Sequence, residues 1–317
     1  MKNAFFLLGI LPALAGFGVT DGARAPCFAE TPSACTVGVM TKSYDEKRAK
    51  ALEKFQEVIG KYLEERAGIQ FRFKALTHAD LARALEKGSI DLVWGYGLVV
   101  SMELGRRFPL FPVVSPTLGE TQRRMYKRLA VSTREAAASL ADVTGFRGKR
   151  LTYLGDEQWS FELLVFKVWV AERFGIKDVG QVFTLKGRDP DEGFFIPASK
   201  RGAIYSLFIR EADLAVAHEF EYLTQEKLTP HAIRERAEVL PLLNSSEEFL
   251  EAPVFARKGM DSRIIDRLTK ALLAMPKDPE GKQILLSSKI SGFVKVTDQD
   301  YQSVKALMVK KEELGIK

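Results

Sequence analysis

The chain has 317 residues, of which 46% are hydrophobic and 28% charged, so it is long and apolar enough to bury one large or two medium cores. Its 24 Gly and 13 Pro lie near ordinary usage and it has two Cys, which excludes collagen-like chains and disulfide-dense scaffolds. The formal net charge is +6, but acidic and basic residues are interleaved, a pattern typical of solvated helix faces. Nucleic acid is therefore not an expected partner.

Residues 1–25 differ in composition from the rest of the chain. Lys2 carries a positive charge, and residues 4–19 are uncharged and apolar, as in the hydrophobic region of a secretory signal peptide. Pro12 interrupts this stretch, which is also shorter than the about 20 residues of a membrane-spanning helix. The sequence thus predicts a cleaved signal peptide and an exported protein. Three cleavage sites stay open, after Ala15, after Ala25 and after Ala29.

The two cysteines, Cys27 and Cys35, both lie close to the predicted cleavage sites. In an oxidising compartment they could close a small N-terminal disulfide loop, which is the favoured interpretation. Two alternatives stay open: cleavage after Ala29 would leave Cys35 alone, or Cys35 could carry a lipid. Pro32 stands where lipid-attachment motifs usually have Leu, and this argues against the lipid.

From residue 36 onward, short apolar strands alternate with amphipathic helices. The first set consists of a strand at 36–40, a helix across 52–63, a strand at 69–75, a helix at 79–87 and a strand at 90–94. This order of elements predicts a parallel or mixed sheet with helices on its faces. Ligands of such sheets bind in the loops beyond the carboxyl ends of the strands.

A second set of the same units follows. It consists of a strand at 150–154, a helix at 160–174, a strand at 181–185, a helix at 202–210 and a strand at 213–216. Strand-like segments at 129–131 and 253–256 would carry the chain between two lobes and back, and the last third is mainly helical. We therefore predict an α/β fold of two lobes with a ligand cleft between them. Lobe 1 is expected at 36–126 plus 252–317, and lobe 2 at 127–251.

Motifs of catalysis and of phosphate or metal binding are absent from the sequence. It has no G-x-S-x-G elbow, no G-x-x-x-x-G-K-[ST] loop, no G-x-G-x-x-G and no H-E-x-x-H. The three histidines, His78, His218 and His231, have no partner at metal-ligand spacing. An enzyme is therefore disfavoured, and neither a metal nor a cofactor is expected.

Polar and aromatic residues instead gather in the loops that follow predicted strands, as expected of residues lining a cleft. These loops are 41–44, 77–78, 94–97, 156–160 and 218–219. Each has a purely structural alternative: Trp94 could belong to the core at a strand end, and Ser160 could serve only as a helix N-cap.

Several of these segments resemble, in order, the periplasmic binding components of phosphate/phosphite/phosphonate ABC transporters, the PhnD-like family with the type 2 periplasmic binding fold. The markers are Val37-Gly38-Val39, 84–94, 145–152, 211–215, 252–258 and a closing segment from Asp278-Pro279-Glu280-Gly281-Lys282 to Asp298-Gln299-Asp300-Tyr301. The resemblance covers about residues 36–307. It implies two lobes that close on a small ligand, a location in the periplasm and delivery of the ligand to a membrane permease.

The family's anion-binding loop falls on residues 159–162, where only Ser160 remains a hydroxyl. In the family, hydroxyls and the amides at this helix N-terminus hold the oxyanion, an arrangement that the helix dipole favours. Glu162 in the same turn would repel a phosphonate. Other ligand positions of the family match His78, Gly95 with Tyr96 beside it, and about Lys200.

The predicted ligand-binding residues are Tyr44, His78, Tyr96, Trp159, Ser160 and Lys200. The ligand is either a phosphonate- or phosphite-like oxyanion or a divergent small organic molecule. A cationic ligand would use the indole faces and an acid at Glu162 or Glu251. The leading hypothesis is a periplasmic solute-binding protein of an ABC transporter, and the alternative is a ligand-sensing accessory protein that partners a sensor histidine kinase or a redox system.

Overall fold

A computed structural model describes residues 33–40, 50, 53–54, 56–95, 97–119, 123–188, 202–240, 247–288 and 290–316. The predicted signal peptide lies outside these residues. The strands are β1 Ser33–Met40, β2 Ile69–Leu76, β3 Leu92–Trp94, β4 Leu110–Leu118, β5 Met125–Thr133, β6 Lys149–Leu154, β7 Phe183–Arg188, β8 Leu214–His218, β9 Ala237–Val239, β10 Glu248–Leu250, β11 Val254–Arg257 and β12 Ile290–Lys295.

The α-helices of the same residues are numbered in chain order. They are α1 Lys61–Ala67, α2 His78–Glu86, α3 Leu98–Arg107, α4 Arg134–Ala137, α5 Phe161–Phe174, α6 Tyr205–Phe208, α7 Glu219–Leu228, α8 Pro230–Arg236, α9 Ser262–Ala274, α10 Pro279–Ser287 and α11 Gln302–Glu313. None of the helices in the described part of the chain is long and apolar enough to cross a membrane.

The first sheet contains six strands in the order β12-β4-β11-β3-β1-β2. Strand β1 lies parallel to both β2 and β3, so that Val37 is paired with Phe73 on one side and with Leu92 on the other. All three residues are buried, as expected for the central strand of a parallel sheet with helices on both faces. The sheet and the helices packed on it are called lobe 1.

The second sheet has the order β10-β5-β8-β6-β7, with β9 also paired to β5. Strand β6 lies parallel to β7 and β8, whereas β5 lies antiparallel to β8 and β10. This sheet and its helices are called lobe 2. The chain crosses from lobe 1 to lobe 2 between β4 and β5, and it returns between β10 and β11.

The two lobes share part of their hydrophobic core. Helix α5 of lobe 2 contributes Val165 and Val168 to a buried cluster that also holds Val304 and Leu307 of the C-terminal helix α11. An ion pair between Lys310 and Glu172 (2.7 Å) borders the same contact. The C-terminal helix therefore packs against the helix whose N-terminus faces the cleft.

The favoured interpretation of a disulfide between Cys27 and Cys35 disagrees with the structure. Cys35 lies in β1 with 1% of its surface exposed and is a free thiol, while Cys27 lies outside the described residues. Burial, aided by the negative charge of Asp91, raises the pKa of the Cys35 thiol to about 12. A neutral thiol packed in a core behaves as a small hydrophobic group.

Candidate ligand-binding cleft

The cleft loops follow the carboxyl ends of parallel strands in both lobes. In lobe 1, β2 ends at Leu76 and β3 at Trp94, while in lobe 2, β6 ends at Leu154 and β8 at His218. Ligands of α/β sheets bind outside these strand ends. The loops 77–78, 94–97, 156–160 and 218–219, predicted to line the cleft, begin at or shortly after these strand ends.

His78 is held at the start of α2 by its neighbours. Thr77 is the N-cap residue of this helix, and its hydroxyl oxygen accepts a hydrogen bond from the Asp80 amide (3.2 Å). The side chains of Thr77 and Asp80 are also linked (2.6 Å). Because this cap fixes the first turn, the half-buried imidazole of His78 has a defined position at the edge of lobe 1.

The loop before α5 is held by backbone and side-chain contacts. Gly155 has a φ of +87°, a conformation that L side chains rarely adopt. The Asp156 carbonyl oxygen then accepts hydrogen bonds from the amides of Trp159 (3.0 Å) and Ser160 (2.9 Å). Lys167 Nζ, in the second turn of α5, contacts Glu157 Oε1 (2.6 Å). The loop therefore presents Trp159 and Ser160 from a fixed backbone.

The two lobes meet at His78 and Trp159. Their ring centroids lie 4.5 Å apart with the planes inclined by 38°, which is within the range of favourable aromatic contacts. The contact lies next to the N-terminus of α5, because Trp159 directly precedes the N-cap residue Ser160. His78 and Trp159, predicted separately as ligand contacts, are thus brought together.

Ser160 is the N-cap residue of α5, and it is 4% exposed. Its hydroxyl oxygen accepts a hydrogen bond from the Leu163 amide (3.3 Å), while the first intrahelical bond runs from the Leu164 amide to the Ser160 carbonyl (3.0 Å). The amides of Phe161 and Glu162 precede the first intrahelical donor, the Leu164 amide, and therefore have no acceptor within the helix. The capping role and the predicted ligand role therefore fall on the same side chain, and the helix N-terminus favours negative charge.

Glu162 is paired with a buried arginine that the sequence-based list of site residues misses. The Arg128 side chain is 4% exposed, and its Nε lies 3.2 Å from Glu162 Oε1 while its Nη2 donates to Glu251 Oε1 (3.2 Å). The guanidinium also lies over the ring of Phe161 at 5.0 Å. Glu162 and Glu251 are therefore not free acids for a cationic ligand, and the positive charge of Arg128 offsets the repulsion expected from Glu162.

Glu251 has a second partner in His218. The Nε2 of His218 lies 2.6 Å from Glu251 Oε1, and its Nδ1 accepts a hydrogen bond from the Phe220 amide (2.9 Å). Because Nδ1 is an acceptor, the proton of a neutral His218 resides on Nε2 and is donated to Glu251. Burial alone would raise the pKa of Glu251, but the interactions with His218 and Arg128 prevail and lower it to about 2.

A second buried acid, Glu221, lies in the first turn of α7 with 2% of its surface exposed. Its Oε1 accepts a hydrogen bond from the Ile204 amide (2.9 Å), and Oε2 has no hydrogen-bond partner among the described residues. Burial, together with the nearby charge of Glu162, raises the pKa of Glu221 to about 8. A Cβ at Gly202 would collide with this carboxyl group, so a larger residue there would displace it.

The other sequence-predicted site residues are placed as follows. Tyr44, Tyr96 and Lys200 lie outside the described residues. Trp94 is 3% exposed and packs on Phe73 with ring centroids 6.3 Å apart, so the core alternative holds for it. Within the described part of the chain, no group of three or more His, Cys, Asp or Glu side chains could hold a metal ion.

The inward position of Arg128 is visible in the structure and not in the sequence. In β5, Tyr126, Arg128 and Ala130 occupy alternate positions, and all three are buried. A charged residue at an inward position of an alternating strand is seldom tolerated without a partner. In the sequence, Lys127 and Arg128 fall on opposite faces of the strand, and the alternation does not show which of the two faces inward. The buried ion pair was therefore not predictable from this segment.

Comparison with solved structures shows the fold. A binding protein component of an ABC phosphonate transporter from Pseudomonas aeruginosa has a TM-score of 0.61 at 13% identity, covering 90% of this chain and 88% of the other. PhnD1 from Prochlorococcus marinus in complex with methylphosphonate has a TM-score of 0.60 at 13% identity, over 89% of this chain and 100% of the other. A Xanthomonas citri protein bound to ATP has a TM-score of 0.62 at 16% identity, over 89% of this chain and 98% of the other.

The two-lobed α/β periplasmic-binding-protein fold predicted from the sequence is confirmed by these structures. A search of curated proteins gives no match. The model of the family described as "ABC transporter, phosphonate, periplasmic substrate-binding protein" matches residues 43–301, and these findings do not favour the sensing alternative. The chain belongs to this family of periplasmic substrate-binding proteins of phosphonate ABC transporters.

Proposed function

We propose that this protein captures a small solute bearing a phosphorus oxyanion between its lobes, at the N-terminus of α5, and presents it to a membrane permease. The observation that carries the proposal is the contact between His78 and Trp159 in front of the capped first turn of α5. Such a helix end offers backbone amides and the positive end of the helix dipole to an anion. No covalent chemistry is required of the chain, which acts as a binding protein and not as an enzyme.

The charge around this helix end is compatible with an anionic ligand. Glu162 would oppose an oxyanion, but Arg128 lies 3.2 Å from it and offsets part of this repulsion, since its single positive charge is shared with Glu251. The Prochlorococcus marinus and Xanthomonas citri structures hold methylphosphonate and ATP respectively, two ligands that share a phosphorus oxyanion group. This shared group supports an oxyanion over the divergent organic ligand.

Six residues are proposed to contact the ligand. Ser160 offers its hydroxyl group at the helix N-terminus, and Trp159 and Tyr96 form walls of the cleft. Lys200 supplies positive charge. His78, in lobe 1, and Tyr44 complete the set.

Calorimetric titration with methylphosphonate, phosphite, phosphate and ATP, and with an organic amine as the cationic comparison, tests the proposal. At least one phosphorus oxyanion should bind, and Ser160→Ala should weaken it. Hydrogen bonds to charged groups contribute about 1.5–3 kcal/mol, which corresponds to roughly a 10- to 150-fold loss of affinity. Thr133→Ala is the matched control, because Thr133 caps α4 through the same type of bond and lies outside the cleft loops.

Two outcomes would contradict the proposal. One is the absence of binding by all of the oxyanions, and the other is an affinity that neither Ser160→Ala nor Trp159→Ala changes. Binding of the amine alone would favour the organic-ligand alternative. Export to the periplasm is tested separately, by fractionating cells and sequencing the N-terminus of the mature chain, which should begin after Ala15, Ala25 or Ala29.

A further inference from the structure

Glu251 lies where the chain returns from lobe 2 to lobe 1, between β10 and β11. Its carbonyl oxygen accepts hydrogen bonds from two side chains of lobe 1, the Ser115 hydroxyl (3.0 Å) and the Tyr301 hydroxyl (2.8 Å). Ser115 and Tyr301 are both fully buried. The backbone of Glu251 is therefore attached to lobe 1.

The side chain of the same residue is attached to lobe 2. Its carboxylate accepts hydrogen bonds from Arg128 Nη2 (3.2 Å) on β5 and from His218 Nε2 (2.6 Å) at the end of β8. Glu251 is only 17% exposed at its side chain, so water screens these contacts weakly. One residue thus joins the two lobes through separate chemical groups.

The other crossover is joined to the same unit. The Tyr126 hydroxyl at the start of β5 donates to the Leu118 carbonyl oxygen (2.6 Å) and accepts from the Leu118 amide (3.1 Å) at the end of β4. Arg128 Nη1 in turn donates to the Tyr126 carbonyl oxygen (3.1 Å). Arg128 therefore contacts one crossover through Tyr126 and the other through Glu251.

We propose that Glu251 is a positioning residue that fixes the angle between the lobes and, through Arg128, the place of the ligand-binding end of α5. Arg128 reaches that end directly, since its Nε lies 3.2 Å from Glu162 in the first turn of the helix. Hinges of two-lobed proteins are a few residues at element ends, and Glu251 occupies such a position. The inference rests on the proposed capture of a ligand between the lobes, but its test requires no ligand.

The test measures the distance between the lobes in the absence of ligand. Spin labels are placed on cysteines introduced at Glu64 in α1 and at Lys177 after α5, both exposed, in the full chain carrying Cys27→Ser and Ser115→Ala. Of the two described hydroxyl groups that donate to the Glu251 carbonyl oxygen, this parent protein keeps only that of Tyr301. Cys35 is buried and does not compete for the label. The label-to-label distance distribution is recorded by pulsed electron spin resonance for the parent protein, for Glu251→Gln and for Tyr301→Phe.

Glu251→Gln and Tyr301→Phe should each give a wider distance distribution than the parent protein. The distribution of the double variant should not exceed that of the wider single variant, because both substitutions act on the same link between the lobes. Tyr301→Phe loses only a hydroxyl group and keeps the buried ring, so it tests the link even if Glu251→Gln does not fold. Glu235→Gln on α8, which is exposed, and Tyr62→Phe in the core of lobe 1 are the matched controls. Neither control should change the distribution.

A parent-like distribution in folded Tyr301→Phe, or in folded Glu251→Gln, would overturn the inference. Broadening in the double variant equal to the sum of the two single effects would show two independent contacts and would overturn it as well. Titration with methylphosphonate is performed separately on the unlabelled parent protein. Failure of that titration bears on the proposed ligand class, whereas the ligand-free distance distribution decides the role of Glu251.

Discussion

The imidazole of His78 and the indole of Trp159 belong to different lobes, and their ring centroids lie 4.5 Å apart. The two residues are 81 positions apart in the sequence. His78 is the first residue of α2, and Trp159 directly precedes Ser160, the N-cap residue of α5. Their contact joins α2 of lobe 1 to the residue before the N-cap of α5 in lobe 2. Trp159 is therefore a natural reporter of the arrangement of the lobes.

Replacement of His78 by Ala should expose Trp159 to solvent. The imidazole covers part of the indole, and its removal leaves that face to water. The fluorescence emission of Trp159 should shift to longer wavelength, and acrylamide should quench it more strongly. The emission of Trp94 and Trp169 is measured in the variant Trp159→Phe and subtracted. His231→Ala, at an exposed position of α8, should leave the emission unchanged. Equal quenching of Trp159 with and without His78 would show that the ring contact does not shield the indole.

Ser160→Ala should lower the free energy of unfolding by about 1 kcal/mol, because the Leu163 amide loses its capping acceptor. Ser160→Thr retains an acceptor oxygen and should restore most of this loss. Urea denaturation at neutral pH measures both effects without ligand. A stability unchanged by Ser160→Ala would mean that the hydroxyl group does not cap α5 in solution, and that its role is restricted to the ligand.

The sequence best predicts those parts of the site that depend on residues close together in the chain. Ser160 and Gly175 bound a helix whose ends are recognisable from a capping hydroxyl and from a glycine in the left-handed region, with φ of +68°. The pairing of Arg128 with Glu162 and Glu251 is not local, because its members lie 34 and 123 positions from the arginine. Such a cluster depends on how strands from two crossovers meet, and no periodicity within one segment encodes it.

Strand β4 shows a second limit of sequence-based prediction. It contains Pro112 and Pro116, residues that normally argue against a strand inside a sheet, yet it lies between β11 and β12. The pairing with β11 shifts register between Val254 and Phe255, and irregular pairing of this kind accommodates prolines. Because of these prolines, the sequence does not predict β4, the strand that positions Ser115 for its contact with Glu251.

Arg128→Met should destabilise the protein severely. Removing one partner of a buried ion pair leaves uncompensated charge and costs about 3–5 kcal/mol, here at Glu162 and Glu251. The triple variant with Glu162→Gln and Glu251→Gln should recover part of the loss, since no unpaired carboxylate remains. Arg83→Met is the control, because Arg83 forms an exposed pair with Asp80 and should cost no more than about 1 kcal/mol. Similar losses for Arg83→Met and Arg128→Met in urea denaturation would contradict the buried network.

The free thiol of Cys35 should not react with maleimide in the folded protein. Only 1% of the residue is exposed, and burial with the charge of Asp91 raises its pKa to about 12, so the thiolate that reacts is neither accessible nor populated. The measurement uses Cys27→Ser, with and without denaturant, and adds Lys177→Cys as an exposed control. Labelling of Cys35 at the rate of the exposed control would show that β1 opens readily.

The buried carboxyl group of Glu221 should make stability fall as the pH rises through the neutral range. Its pKa is raised from 4.5 to about 8 in the folded state, so between these values the unfolded chain has lost the proton while the folded protein keeps it. The unfolded state then binds fewer protons, and the free energy of unfolding decreases from about pH 4.5 until it levels off above about pH 8.

Glu221→Gln retains an acceptor for the Ile204 amide and carries no titrating group. The free energy of unfolding is measured by urea denaturation at pH 5 and at pH 8.5. Its decrease between these two pH values should be smaller in Glu221→Gln than in the parent protein. The control Glu64→Gln, on the exposed face of α1, should show the same decrease as the parent protein. Other groups titrate alike in all three proteins, so an equal decrease in the parent protein and in Glu221→Gln would mean that Glu221 ionises normally and that its surroundings admit water.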